Sequence, residues 1–434
     1  MSKHVLVVSH SFPPLNNIAA RRFGFLVPHL ARHGWTPWVL TTESSGPLPV
    51  GMPERQVIRI GRHPQSTARV EGHAAQRSGR MSRPLRTLRT LLAMTRMQFR
   101  AVDHTCWNWR REVIARSDEV RDRLPGINAV LGTFGPAASL WIARHFSRRL
   151  DVPWVADYRD LAALRHDGRA WAARYLDRWI EGGLLGDASA VTSTGRTWAE
   201  MLGRAYAKPF EVIYNGWDPE VFTAGETRDE QEMPDEEPYL LYAGRFYPER
   251  MRAAGVVLEA LAAEPGLELR VRSLGPSNLE ESFAGEALRL GVKNRVRVMP
   301  PCSPREVAAE ADHAVANLVL DDVVETYESS RGVLTGKFLE LVAGERPVLA
   351  VTQPDSEMGP ILESTQKGRI CSTASEVRGF LREVHDGQTA TEADAEEIAR
   401  YSKASQAAVL AGLLNRIVDN PLKKSDLGVG GRVP

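Results

Sequence analysis

Residues 239–250 read Tyr-Leu-Leu-Tyr-Ala-Gly-Arg-Phe-Tyr-Pro-Glu-Arg, and they pass from a strand pattern to a helix pattern through a polar loop. Tyr239 to Ala243 is an apolar run of the length of a buried strand, and Gly244 opens the loop that follows it. The same succession of short strand and longer helix recurs in both directions along the chain. This alternation is typical of parallel sheets that helices cover on both faces.

The chain of 434 residues is long enough for two domains, and the pattern forms two series. The helix predicted after the first strand covers Asn17 to His33. Predicted strands of the first series are His4–Ser9, Trp38–Thr41, Val57–Ile60, Ala129–Leu131, Trp154–Ala156, Ala190–Thr192 and Val212–Tyr214. Those of the second series are Tyr239–Ala243, Leu267–Leu274, Arg295–Met299, His313–Leu320 and Pro347–Val351.

An acidic stretch poor in apolar residues, Thr223 to Pro238, separates the two series and predicts a linker. We therefore expect a first Rossmann-like domain over residues 1–218 and a second over residues 219–393. A helical pattern over residues 394–420 is expected to pack back on the first domain. The Gly- and Lys-rich residues 421–434 are expected to be a disordered tail.

The overall charge is balanced, with 55 Lys and Arg residues against 54 Asp and Glu. A nucleic-acid-binding protein usually has a basic excess, so we expect no nucleic-acid partner. Cys106, Cys302 and Cys371 are too few and too far apart for a disulfide framework, which favours a reducing, cytoplasmic location. The N-terminus enters a strand at once, and no window has the length of a membrane span, so neither a signal peptide nor a transmembrane helix is expected.

A basic insertion is expected at about residues 62–125 of the first domain. Nine arginines lie between Arg62 and Arg100, against one acid, Glu71. Residues 77–100 space their apolar side chains as a helix does. This segment is either a solvent-exposed surface helix or a helix that rests peripherally on an anionic membrane.

The standard phosphate-binding loops are absent from the sequence. Ser9 to Pro14 follows the first strand without a G-x-G-x-x-G turn, which argues against an ordinary dinucleotide oxidoreductase. No G-x-x-x-x-G-K-[ST] segment occurs. Asp321-Asp322 is interpreted as a solvated turn, and no metal site is predicted.

Polar clusters at strand ends are the better candidates, since open α/β sheets bind ligands there. Arg245 and Arg250 lie on the loop after Ala243, where two guanidinium groups could straddle a diphosphate. The alternative is a surface pair that bridges to acids. Lys337 and Glu340 lie three residues apart at the start of a helix, suited either to phosphate and ribose or to an ordinary ion pair.

Two further clusters belong to the first domain. Asp157-Tyr158-Arg159-Asp160 follows a buried strand, so these four residues are expected either to face a cleft or to form a loop salt bridge. Asn215-Gly216-Trp217-Asp218 predicts a tight turn, which a hinge between domains would also explain.

Together these segments resemble glycosyltransferase family 4 over nearly the whole chain, in a bacterial polysaccharide-type branch with a D-x-R-D segment. The resemblance rests on Phe12-Pro13-Pro14, Arg22, Gly132 to Pro136, Asp157 to Asp160, Asn215 to Asp218, Gly244-Arg245, Arg250 and Glu340. It implies the α/β GT-B fold: two facing Rossmann-like domains with a central cleft and a C-terminal helix that returns to the first domain.

The resemblance also implies roles for residues. Arg245, Arg250 and Gly244 would bind the donor diphosphate, Gly275 would flank the nucleotide base, and Glu340 would hold the ribose. The earlier glutamate of the family's E-x7-E pair is replaced by Gly332, which lies between Arg331 and the following helix. Recognition of the donor sugar is therefore expected to differ.

The implied reaction is transfer of a sugar from a nucleoside-diphosphate donor to a hydroxyl acceptor, with retention of configuration and without a metal or other cofactor. Lys337 would assist Arg245 and Arg250 in stabilising the leaving diphosphate. Asp160 would orient or deprotonate a glycan or lipid-linked acceptor, and Arg159 would position it.

Two alternatives remain open at this stage. A related GT-B enzyme could couple a non-sugar group, or hydrolyse or epimerise a nucleotide sugar. A catalytically silent subunit could bind the nucleotide sugar and dock on a membrane partner. The base, the sugar, the acceptor and the oligomeric state are not specified by the sequence.

Overall fold

A computed structural model describes residues 2–64, 106–166, 169–218, 238–264, 266–273, 277–300, 302–324, 327–386 and 393–420. The chain forms two compact units. The first contains residues 1–214 and 403–434, and the second contains residues 215–402. Four sequence predictions fall wholly or largely outside the described residues: the basic segment 77–100, the linker 223–238, the tail 421–434 and Gly275.

The first unit is built on a parallel seven-stranded sheet with strand order β3-β2-β1-β4-β5-β6-β7. Its central strands are buried along their length, as expected for a sheet covered on both faces. The strands are β1 (Lys3–Val8), β2 (Trp35–Glu43), β3 (Val57–Arg62), β4 (Ala129–Phe134), β5 (Trp154–Tyr158), β6 (Ala190–Ser193) and β7 (Phe210–Val212).

The helices of the first unit mostly connect successive strands. They are α1 (Ile18–Leu26), α2 (Trp107–Ala115), α3 (Ser117–Arg123), α4 (Ala138–Leu150), α5 (Trp171–Leu185) and α6 (Arg196–Tyr206). The Asn17 side chain caps α1 by accepting a hydrogen bond from the amide of Ala20 at 2.8 Å. The predicted helix 17–33 changes to a 3-10 helix at Val27–His33, and Gly34, at φ +80°, turns the chain into β2.

The last helix of the chain, α15 (Lys403–Asp419), belongs to the first unit. Ala407, Leu410 and Leu414 are buried in the same apolar core as Val5 of β1 and Phe23 of α1. Burial of this apolar stripe is what holds α15 there. The predicted return begins later than residue 394, because α14 (Ala395–Arg400) lies in the second unit.

The second unit has a parallel six-stranded sheet with strand order β10-β9-β8-β11-β12-β13. Its core lies around Leu240, Leu258, Leu318 and Phe380. The strands are β8 (Tyr239–Gly244), β9 (Glu268–Ser273), β10 (Val296–Met299), β11 (Ala316–Leu320), β12 (Val348–Val351) and β13 (Gly368–Cys371). The helices before α14 are α7 (Met251–Ala263), α8 (Ser277–Arg289), α9 (Pro304–His313), α10 (Glu328–Arg331), α11 (Phe338–Ala343), α12 (Met358–Thr365) and α13 (Ala374–His385).

Every predicted strand overlaps a strand of the structure, but three details differ. The strand expected at Val212–Tyr214 begins earlier, at Phe210. Strand β13 was not predicted, because Gly-Arg-Ile-Cys is short and mixed in polarity. The chain passes from the first unit to the second after Tyr214 rather than after Asp218.

No helix within the described residues is both long and apolar enough to cross a lipid bilayer.

Candidate functional site

The centre of the second sheet contains a topological switch point. From β8 the chain continues to β9 on one side, and from β11 it continues to β12 on the other side. Loops that leave two such neighbouring strands diverge and open a crevice at their carboxyl ends, where ligands of open α/β sheets bind. The loop with Arg245 and Arg250 leaves β8 at this point, and Asp321 directly follows β11.

Close packing of Tyr242 shapes the loop after β8. A Cβ atom on Gly244 would lie 2.9 Å from the Tyr242 hydroxyl oxygen, so only glycine fits without a shift. That hydroxyl donates a hydrogen bond to the Arg245 carbonyl oxygen at 3.0 Å, and Arg250 Nη1 donates to the same oxygen at 3.1 Å. These two hydrogen bonds fix the position of the Arg245 carbonyl group, whereas the Arg245 side chain is exposed to solvent.

The two arginines share one aromatic neighbour. Arg245 Cζ lies 5.7 Å and Arg250 Cζ lies 4.8 Å from the centre of the Tyr247 ring. Two like charges held beside one ring repel each other, and a dianionic group such as a diphosphate would relieve that repulsion. The structure thus places the predicted arginine pair together at the switch point.

Asp321 is the site residue that the sequence interpretation missed. The solvated turn expected at Asp321-Asp322 is wrong, because Asp321 is 7% exposed and its Oδ1 lies 4.0 Å from Arg250 Nε. Burial raises the pKa of Asp321 to about 6, although Arg250 opposes that rise. Asp322 forms an ion pair with Arg252. The position of Asp321 directly after a central strand was the available signal.

Lys337 and Glu340 are placed at the start of α11, which leads into the parallel strand β12. Lys337 is the exposed residue that precedes the helix, and Glu340 lies in its first turn with intermediate exposure. The start of a helix that enters a parallel strand lies toward the carboxyl edge of that sheet. Both residues therefore occupy the edge that carries Arg245 and Arg250.

The segment around Gly332 contains an ion pair that the sequence did not indicate. Gly332 is buried at the end of α10. The neighbouring Arg331 contacts Asp355, with 2.6 Å between Nε and Oδ2. Ser330 accepts a hydrogen bond from the buried Gln353 side chain at 3.3 Å. Arg331 and Ser330 are thus fixed by residues that follow β12.

In the first unit, Asp157 does not face a cleft, which corrects one expectation. Asp157 and Tyr158 belong to β5, and both are fully buried. The Asp157 carboxylate accepts two hydrogen bonds from Arg22, at 3.1 and 2.6 Å. Thr133 and Thr192 donate to it at 2.8 and 2.7 Å. This network satisfies both carboxylate oxygens and is structural.

Arg159 and Asp160 lie beyond the end of β5 and are less enclosed. Gly135, at φ +102°, leaves room for Arg159, since a Cβ atom there would lie 2.6 Å from Arg159 Nη2. Arg159 Nε lies 3.5 Å from Asp160 Oδ2, so the predicted loop salt bridge is present. Burial lowers the pKa of Arg159, while 47% of the Asp160 side chain is exposed. Asp160 is thus accessible to solvent.

A buried pair of histidines also lies at the carboxyl edge of the first sheet. His10 follows β1, His63 follows β3, and their ring centres are 4.6 Å apart. The Ser11 hydroxyl lies 3.1 Å from His63 Nε2, and Cys106 Sγ lies 3.5 Å from His10 Nε2. Burial, with His63 nearby, lowers the pKa of His10 to about 3. His10 is therefore a neutral imidazole at physiological pH and a very weak base.

The segment Asn215 to Asp218 opens the second unit. Gly216 adopts φ +69°, which suits the predicted turn. Trp217 is anchored within the second unit, since its indole Nε1 donates a hydrogen bond to the Ile398 carbonyl oxygen at 3.0 Å. Among the residues that the structure describes, no group of three His, Cys, Asp or Glu side chains could hold a metal ion.

Comparison with known proteins gives structural but not sequence relatives. No protein-family model and no curated sequence matches the chain. Sucrose-phosphate synthase from Thermosynechococcus elongatus superposes with a TM-score of 0.64 at 14% identity, over 96% of this chain and 99% of that one. The lipopolysaccharide outer core galactosyltransferase WaaB gives a TM-score of 0.56 at 13% identity, over 96% and 100%. HepE of Anabaena, in complex with UDP, gives 0.53 at 14% identity, over 96% and 97%.

At these identities the likeness shows the fold alone, and membership of glycosyltransferase family 4 stays a prediction. The two parallel sheets and their connecting helices are those of GT-B proteins. The chain has the GT-B fold.

Proposed function

We propose that the protein is a glycosyltransferase that moves a sugar from a nucleoside-diphosphate donor to a hydroxyl acceptor. The observation that carries the proposal is the pair Arg245 and Arg250 beside Tyr247 at the switch point of the second sheet. Solved structures with this fold support it, since they include a galactosyltransferase and a protein crystallised with UDP.

The proposed chemistry depends on charge stabilisation of the leaving group. When the glycosidic bond to the diphosphate breaks, negative charge develops on the phosphate oxygens. Arg245 and Arg250 would bind these oxygens, and Lys337 would assist from the start of α11. Glu340 would accept hydrogen bonds from the ribose hydroxyls. In this scheme the cationic side chains supply the charge stabilisation, and no metal is required.

The acceptor is assigned to the first unit. Asp160 would orient or deprotonate the acceptor hydroxyl, because its carboxylate is exposed, and Arg159 would position the acceptor. The family resemblance favours retention of configuration and a glycan or lipid-linked acceptor. The neutral His10 is a poor candidate for the base, since its pKa is lowered to about 3.

Replacement of Arg245 tests the donor site. Arg245→Ala should weaken nucleoside-diphosphate binding by about 1.5–3 kcal/mol, the usual contribution of a charged hydrogen bond. Isothermal titration calorimetry measures the change. Arg289→Ala is the matched control, because Arg289 is an exposed arginine of the same unit that pairs with Glu286. Equal nucleoside-diphosphate affinities of the wild type and the Arg245 variant would show that Arg245 does not bind the phosphates.

Replacement of Asp160 tests the acceptor side. Asp160→Asn should leave nucleoside-diphosphate affinity intact and lower turnover by roughly 100-fold, the lower range for a general base. Asp122→Asn, at an exposed acid of the same unit, should turn over like the wild type. Unchanged turnover of the Asp160 variant would exclude a catalytic role.

Product analysis separates the alternative activities on the same fold. A glycosyltransferase forms a glycosylated acceptor, whereas a hydrolase releases free sugar and an epimerase returns an altered nucleotide sugar. A silent subunit would bind the nucleotide and form none of these products.

A further inference from the structure

Helix α5 of the first unit exposes a row of aromatic side chains. Trp171 is 76% exposed, Tyr175 is 55% exposed and Trp179 is 63% exposed. Their spacing of four residues places them on one face of the helix, and Leu176 beside them is also exposed. Exposed tryptophan is costly in water, and a contiguous apolar patch on a folded protein usually marks an interaction surface.

The acids of α5 lie on the opposite, buried face. Asp177 is fully buried and accepts a hydrogen bond from Arg169 Nη1 at 2.8 Å. Glu181 is 1% exposed and accepts hydrogen bonds from the Tyr206 hydroxyl and from the amide of Ala163. A rotation of the helix that hid the tryptophans would break these buried contacts. The outward position of the aromatic row is therefore fixed by the acids beneath it.

The charge of the outer face is positive. All residues of α5 are described, and its two acids are the buried Asp177 and Glu181. The remaining charged residues of the helix are Arg174, which is half-buried, and Arg178, which is exposed. Arg174 is also engaged, since its Nη1 lies 2.8 Å from His166 Nδ1. The outer face of α5 thus combines indole and phenol rings with the Arg178 guanidinium, and α5 places no carboxylate on it.

We propose that this face of α5 docks on an anionic lipid membrane. Tryptophan and tyrosine favour the headgroup region, because one part of each ring is apolar and another forms hydrogen bonds. Arg178 on the same face is attracted to anionic headgroups. The helix lies along the surface of its unit, so the contact is peripheral. The proposal is independent of glycosyl transfer and of residues 77–100.

Charge argues against a second copy of the chain as the occupant. In a two-fold symmetric dimer each copy presents the same patch to the other. The Arg178 side chains of the two copies would then be brought together, with no carboxylate of α5 on that face to offset them. An anionic membrane has the complementary charge.

Vesicle flotation tests the proposal on the full-length protein without donor or acceptor. The wild type should float with vesicles of 30% phosphatidylglycerol in phosphatidylcholine, and less with pure phosphatidylcholine, since Arg178 adds attraction to anionic headgroups. Trp171→Ser/Trp179→Ser should weaken binding about tenfold or more, because two large aromatic side chains lose their burial. Arg178→Gln should weaken it a few-fold, and the difference should shrink in high salt.

Leu288→Ser is the matched control, because Leu288 is 62% exposed but lies in the second unit. This variant should float like the wild type. Thermal unfolding should be the same for all variants, since each altered side chain is exposed. Failure of the wild type to bind anionic vesicles would overturn the proposal, and so would full binding by the double serine variant. A wild-type dimer that the serine pair dissociates, with flotation unchanged, would identify a second copy as the occupant.

Discussion

Arg22 in the first unit and Arg245 in the second both lie near the carboxyl ends of central strands, but in opposite environments. Arg22 is 2% exposed and directs two guanidinium nitrogens to Asp157, which also receives hydrogen bonds from Thr133 and Thr192. Arg245 is exposed, and its guanidinium lies beside the Tyr247 ring and near that of Arg250.

The difference separates two uses of the same residue type. A buried arginine with a fully satisfied carboxylate is positioned for stability, because removal of either partner leaves a buried charge. An exposed arginine beside a second guanidinium contributes little to stability and keeps its donors available for an anion.

Loss of the buried carboxylate should be the most damaging change. Asp157→Ala leaves the buried Arg22 guanidinium without its carboxylate counter-charge, so we expect the free energy of unfolding to fall by about 3–5 kcal/mol. Urea denaturation measures the difference. Arg245→Ala should change the same quantity by less than about 0.5 kcal/mol, as is usual for exposed positions. Similar losses of unfolding free energy for the two variants would contradict the distinction between a structural and a ligand-binding arginine.

Glu181 makes the stability of the first unit depend on pH. Burial raises the pKa of Glu181 from 4.5 to about 7, although the hydroxyl of Tyr206 opposes the rise. The folded state therefore binds the proton more tightly than the unfolded state, so stability falls as the pH rises from about 4.5 and levels off above about 7. Glu181→Gln stays neutral, so between pH 6 and pH 8 it should gain about 1 kcal/mol relative to the wild type.

Urea unfolding of both proteins at the two pH values measures this gain. Glu200→Gln, at a more exposed glutamate of the same unit, should show no such change. A constant difference between the wild type and the Glu181 variant at pH 6 and pH 8 would contradict a raised pKa.

Asp321 is the acid that competes for Arg250 in the second unit. At pH 7.5 it is ionised, because its pKa is about 6, and it would repel a diphosphate. Asp321→Asn should therefore strengthen nucleoside-diphosphate binding about threefold at pH 7.5, a small Coulomb effect near a partly solvated site. At pH 5 the wild-type carboxyl is protonated and the two affinities should converge. Titration calorimetry measures both affinities. The same ratio of variant to wild-type affinity at pH 5 and pH 7.5 would show that the Asp321 charge does not act on the diphosphate site.

The sequence predicted the repeated strands well, because short apolar runs with buried faces are a local signal. The same local signal located the arginine loop after β8. It could not show that Arg22 pairs with Asp157, since these residues lie far apart in the sequence and meet only in the folded sheet. For the same reason Asp157 was expected in a cleft and Asp321 in a solvated turn.

The aromatic face of α5 shows the same limit. A helix with Trp171, Tyr175 and Trp179 at regular spacing would ordinarily be expected to bury them. Only the packing of Asp177 and Glu181 against the first unit determines that the acids point inward and the aromatic rings outward.

Thermal stabilisation by nucleotides tests the proposed donor site most directly. The wild type and Arg245→Ala are heated with UDP, GDP, dTDP, ADP and their sugars, and with CMP-sugars, without added metal. We predict that one nucleoside diphosphate raises the Tm of the wild type and has a much smaller effect on the variant. A folded wild-type protein whose Tm no nucleotide changes would contradict the proposed donor site and the glycosyltransferase function with it.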